Sequence, residues 1–165
     1  MYSDFIFADS MYYEVLEKQS SGAYKLKISY DDDAFEPTSY SYIKLINGDY
    51  YSSDNADFTN YVLSLKSKNL KVGDKWTVKA TSTAGGTATS NFECVSLNNS
   101  ITVPAGTFNA IKLNFDASST TVGSYPITGY FYYTHKDGII KSVQESEILG
   151  EIYTTLDMRL ASKNF

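Results

Sequence analysis

The sequence predicts an all-β protein: a single strongly curved antiparallel sheet, a half-barrel or open barrel of about ten strands, built from successive hairpins in one domain, residues 1–165. Three observations carry that expectation. Apolar and polar residues change places one by one along most of the chain, the period of two that a half-buried strand imposes. Clusters rich in Gly, Asn, Asp, Ser and Pro separate those runs at hairpin spacing. No convincing long run repeats at the helical period.

Phe5-Ile6-Phe7 opens the chain as a short apolar run, an edge strand or a lid. Met11, Tyr13 and Val15 alternate with Tyr12, Glu14 and Leu16, and Tyr24, Leu26, Ile28 and Tyr30 alternate with Lys25, Lys27 and Ser29. The turn Gln19-Ser20-Ser21-Gly22 between them makes a first hairpin. A helix over Ser10–Gln19 competes, but the aromatic pair and Val15 favour the strand. Asp31-Asp32-Asp33, with Glu36-Pro37, reads as a solvated loop, because calcium needs six to eight spaced oxygens and a glycine at the bend. Asn47-Gly48 between Tyr40–Ile46 and Tyr50–Ser53 predicts a second hairpin whose turn residues both take positive φ. Tyr61, Leu63 and Leu65 begin the next run after a polar connection.

The stretch from Leu70 to Phe115 organises the rest. Lys71-Val72-Gly73-Asp74 turns the chain into Trp76, Val78 and Ala80, and Ser82–Ser90 is the flexible tip of a third hairpin with Gly85-Gly86 at its centre. Phe92–Leu97 is the return strand, with a bulge expected where alternation shifts between Cys94 and Val95. Pro104-Ala105-Gly106 then re-aims the chain into Phe108 and a strand with Ile111, Leu113 and Phe115 on one face. Ala117–Ser124 reads as a polar loop. Tyr130-Phe131-Tyr132-Tyr133 presents rings to both faces, the mark of a strand covered on both sides or lining a cavity. His135-Lys136-Asp137-Gly138 turns into Ile139–Val143, and a last two-faced strand carries Ile152, Thr154, Leu156, Met158 and Leu160.

Composition excludes several functions. An apolar fraction of 42% with 20% charged residues fits a folded domain rather than a disordered chain. A net charge of -5 without a Lys/Arg cluster argues against nucleic acid, which demands clustered cations, and against an anionic membrane surface. Cys94 is the single cysteine; between Phe92 and Val95 it reads as a small buried hydrophobe. No stretch is long and apolar enough for a membrane helix, and Met1-Tyr2-Ser3-Asp4 begins no signal peptide.

Three segments carry a resemblance: Leu70–Trp76; Val103-Pro104-Ala105-Gly106-Thr107-Phe108 with its strand to Leu113; and Tyr132-Tyr133 followed by Gly138-Ile139-Ile140-Lys141. Their order resembles uncharacterised bacterial secreted proteins and lipoproteins in which a Val-Pro-Ala-Gly-Thr-Phe turn precedes an apolar strand. The resemblance spans about residues 70 to 160. It implies a shape related to the half-barrels of lipoprotein carriers and a location in the cell envelope or outside the cell. The chain departs from the pattern in placing His135-Lys136-Asp137 where small residues often stand, and no lipid-anchoring cysteine is seen.

No catalytic constellation emerges, so the expectation is a non-enzymatic domain without cofactor or metal. His135 is the sole histidine, and Asn98-Asn99-Ser100 is a glycosylation sequon relevant only to a eukaryotic secretory setting. Glu145 and Glu147, with Glu151 nearby, have the spacing of a glycosidase pair but also of an ordinary exposed strand. Fifteen tyrosines remain. Tyr24, Tyr30, Tyr130 and Tyr132, together with Trp76, are the candidate ligand-binding residues: on a concave face they would hold an apolar, amphipathic or glycan ligand. A lipid-like or glycan molecule is the partner that reading expects. The alternatives are a structural or protein-interaction module, in which the same rings fill a core, and a carbohydrate-binding module.

Overall fold

In a computed structural model the described residues, 11–30, 39–81, 86–120 and 124–160, form eleven antiparallel strands and no helix. Their contacts divide the chain into two compact units, Met1–Lys68 and Asn69–Phe165. The apolar run at Phe5, the acidic cluster at Asp31, and the glycine tip at 82–85 lie outside the described residues.

The first unit is a five-stranded meander: β1 (Met11–Lys18), β2 (Tyr24–Tyr30), β3 (Ser39–Ile46), β4 (Asp49–Ser53) and β5 (Val62–Leu65), paired in sequence order. The first hairpin is present and the competing helix is not. Between β3 and β4, Asn47 (φ 54°) and Gly48 (φ 93°) are both left-handed, as the two-residue turn requires. Asp49 ties that turn to the end of β5, its carboxylate accepting from the backbone N–H groups of Ser67 and Lys68 at 2.8 Å each. Phe58, buried after β4, stacks on Tyr61 at 5.2 Å, and Tyr61 meets Tyr51 edge-on at 5.4 Å.

The second unit is a six-stranded sheet of β6 (Lys75–Thr81), β7 (Thr87–Val103), β8 (Gly106–Ser119), β9 (Ile127–Thr134), β10 (Gly138–Ile148) and β11 (Glu151–Arg159), again paired in sequence order. Two sheets therefore replace the single sheet expected from the sequence. Alternation identifies strands but not which consecutive strands pair. The turn residues before Trp76 instead bond forward: Gly73 N donates to Cys94 O at 2.8 Å and Cys94 N to Asp74 O at 2.9 Å, anchoring them to β7 rather than β5.

β7 and β8 are longer than expected. Asn98–Ser100 lies within β7, and Ala117–Ser119, read as loop, continues β8. Asn98, Ser100 and Ser118 are exposed while the ladder runs on: Ala117 pairs with both Ser90 and Ile127. The bulge expected near Cys94 is found between Cys94 and Ser96, and a second follows before Asn99.

The long hairpin changes its buried side partway along. Cys94, Leu113 and Tyr133, nearly inaccessible, occupy one face with Phe92, Phe115 and Phe131. Beyond Ile111 the buried positions of β8 become Ala110 and Phe108, on the other face. They form a second core with Val103 and Ile140, against which Ile101, Tyr132 and Leu160 pack. The chain leaving β11 closes that end: Leu160 donates to Ile140 O at 2.9 Å and accepts from Ala105 N at 3.1 Å.

Candidate functional site

The six-stranded sheet carries a different set of groups on each face. Register fixes the sets: Trp76 pairs with Phe92, Phe92 with Phe115, and Leu113 with Phe131, so these rings share a face with Cys94. They form a continuous half-buried row. Trp76 stacks on Phe92 at 5.3 Å (interplanar 14°), Phe92 lies 6.1 Å from Phe115 and 6.2 Å from Phe131, and Phe131 lies 6.2 Å from Tyr133. Such contacts add about 0.5–1.5 kcal/mol per pair beyond area burial. Gly129, opposite Phe115, leaves room for that ring.

A groove of about 460 Å³ lies at β6, β7 and β8, each strand contributing three consecutive residues centred on Trp76, Phe92 and Phe115. The indole Nε1–H of Trp76 is buried and has no acceptor among the described residues. An unmet buried donor is uncommon and costs about 1–3 kcal/mol.

Across β6, β7 and β8 the opposite face is polar and charged, and its side chains also line the groove. Lys75 pairs with Glu93 at 3.3 Å, Thr77 donates to Asn91, and Asn91 donates to Asp116 at 2.8 Å. Farther along, Tyr130 and Tyr132 meet edge-on at 5.8 Å. Lys112 from β8 places its ammonium 4.8 Å from the Tyr130 ring centroid and 5.8 Å from that of Tyr132, and Lys141 from β10 reaches within 6.0 Å of Tyr130. Arg159 grips Asp157 through two hydrogen bonds of 3.1 and 2.7 Å. That guanidinium holds the Asp157 carboxyl below its ordinary value, and Asp157 in turn raises Arg159.

Within the six-stranded sheet the candidate residues read from the sequence fall on both faces. Tyr130 and Tyr132 are together, but Trp76 lies on the other face of their sheet, and Tyr24 and Tyr30 belong to β2 of the other unit. Tyr24 is half exposed with the Lys18 ammonium 5.7 Å from its ring. Alternation placed Trp76 in a strand but could not relate its face to that of Tyr130, because the pairing of β6 through β9 decides it. The converging lysines were missed because 29 positions separate Lys112 from Lys141 in sequence. Both pair directly with Tyr132 from either side.

Cys94 is fully buried and its thiol is pushed up, first by burial and then by the Asp74 carboxylate, the opposite of an activated nucleophile. His135 packs edge-on against Tyr133 at 5.7 Å in the expected turn. Glu145 and Glu147 share a face of β10, opposite Thr154 and Ile152. Among the described residues no three His, Cys, Asp or Glu side chains gather as metal ligands would.

No family model matches the chain, and no curated protein matches it. Among solved structures it is similar to a crystal structure described as a putative exported protein with YmcC-like fold, from Bacteroides fragilis. The match has a TM-score of 0.56 at 17% identity and covers 87% of each chain. It is a likeness of fold.

Proposed function

We propose that the protein is a non-enzymatic cell-envelope β-protein that binds an apolar or amphipathic ligand along the aromatic row of its six-stranded sheet. The observation that carries the reading is the Trp76 indole N–H, buried and without an acceptor among the described residues, on a side chain whose residue lines the groove. A ligand oxygen would satisfy it while Phe92 and Phe115 take the apolar part. The groove volume of about 460 Å³ falls within the range of small-molecule sites. In this reading the sheet curves about its ligand, in keeping with the resemblance to lipoprotein carriers. A place outside the cytoplasm is supported by the exported description of the similar Bacteroides fragilis protein.

Trp76 is the only tryptophan, so its emission reports the site directly. Titration with a long-chain fatty acid should give a saturable blue shift. Native mass spectrometry should show that adduct weakened about tenfold in Trp76→Phe, which keeps a ring and loses the donor. No saturable response and no retained lipid would sink the reading. The interaction-module alternative would then gain, supported by the exposed rings of Tyr24, Tyr40, Tyr61, Tyr125 and Tyr153. A stacked-sugar platform at Tyr130 and Tyr132 is less favoured, since those rings meet edge-on and already carry ammonium groups.

A further inference from the structure

Three cations gather on the face opposite the aromatic row, in a protein whose net charge is -5. Lys112 and Lys141 come from β8 and β10, the two strands flanking Tyr130 and Tyr132, and Arg159 pairs directly with Lys141 across β10 and β11. One carboxylate, Asp157, belongs to the group; both of its oxygens accept from Arg159, and its charge also acts on Lys141. The described ion pairs leave Lys112 and Lys141 out, and neither ammonium has a hydrogen-bond partner among the described residues. Both nonetheless point at one ring, 4.8 and 6.0 Å from the Tyr130 centroid. Two like charges sharing one ring repel each other, and the π-face returns only about 0.5–1 kcal/mol at a wet site. An anion reached by both ammonium groups would offset their like charge and gain charge-assisted hydrogen bonds from both flanking strands.

We propose that Lys112 and Lys141, converging over Tyr130 and Tyr132, form a binding site for a phosphate group. Phosphate suits the arrangement because lysines bind it as point charges and its several oxygens can be reached from both flanking strands. The apolar cluster of Val103, Phe108, Ala110 and Ile140 begins beside Tyr132, so the phosphate can be free or the headgroup of a lipid. The proposal does not rest on ligand binding at Trp76, which is on the other face.

The test is a titration of the isotope-labelled full chain with inorganic phosphate, read by amide shifts, alongside co-sedimentation with vesicles of phosphatidylglycerol or of phosphatidylcholine alone. Saturable shifts at Lys112, Tyr130, Tyr132 and Lys141 are expected, reduced at least tenfold in K112Q/K141Q and unchanged in K79Q, which removes the same charge from β6. Retention on phosphatidylglycerol vesicles that the double variant loses identifies a lipid headgroup; a phosphate response without retention identifies a soluble phosphate. Responses to neither probe, or responses that survive K112Q/K141Q, overturn the proposal. The single variants K112Q and K141Q, each expected to weaken binding severalfold, carry the test if the double variant melts early. Trp76→Phe should leave the phosphate response intact, which separates this site from the aromatic row.

Discussion

At Gly129 a hydrogen is all that fits. A Cβ there would stand 2.1 Å from the backbone oxygen of Val143 and 3.0 Å from the Phe115 ring. The carbonyl belongs to a paired strand and cannot swing away, so Gly129→Ala should lower unfolding free energy by about 2–3 kcal/mol, measured by urea denaturation. Cys94 makes a second prediction at this scale. Its thiol pKa is raised in the folded state, so the associated stability is present below the ordinary value of 9.0 and declines as pH climbs past it. Asp157 has the opposite sign: its pKa is depressed, and its contribution fades as pH falls through the acid range below about 4. A pH–stability profile should therefore lose its acid-side slope in part in Asp157→Asn and its alkaline slope in part in Cys94→Ala. The burial of Cys94 was legible from its apolar neighbours. The role of Gly129 was not, because a glycine within a strand can mark a bulge, a bend or a close approach until the register is known.

Among the elements, the β3–β4 hairpin was the most legible, since Asn47-Gly48 specifies both length and handedness of its turn. Gly48→Ala places a side chain at φ 93° with Lys68 Cβ 3.0 Å away, and should cost about 1–2 kcal/mol. Asp49→Ala deletes two acceptor contacts to Ser67 and Lys68 and should cost a similar amount, about 1–2 kcal/mol by thermal denaturation. β7 and β8 were harder to read. Thr87–Ser90 and Ala117–Ser119 are polar enough to pass for loops, yet cross-strand bonding holds them extended. The change of buried side at Ile111 also breaks the rule that one strand has one apolar face. Convergence of Lys112, Tyr130 and Lys141 depends on that long-range pairing and has no local signature.

For the whole molecule, the division into two units leaves an uneven core. The buried apolar side chains described in Met1–Lys68 are Ala23 and Phe58, whereas Asn69–Phe165 buries Leu70, Cys94, Val103, Phe108, Ala110, Leu113, Tyr133, Ile140, Val143 and Ile148. Amide hydrogen exchange should therefore be slowest at Cys94, Leu113, Tyr133 and Ile140 and faster throughout β1 to β5. Equal protection in both units would contradict it. The β character and hairpin spacing were legible because they are written residue by residue; the number of sheets was not, because it is set where one hairpin chain stops pairing with the next. In both sheets every strand bonds to its immediate successor in the chain. No strand has to wait for a distant segment to arrive, so each sheet can be laid down progressively during synthesis or after passage through a pore, one ribbon added to the last.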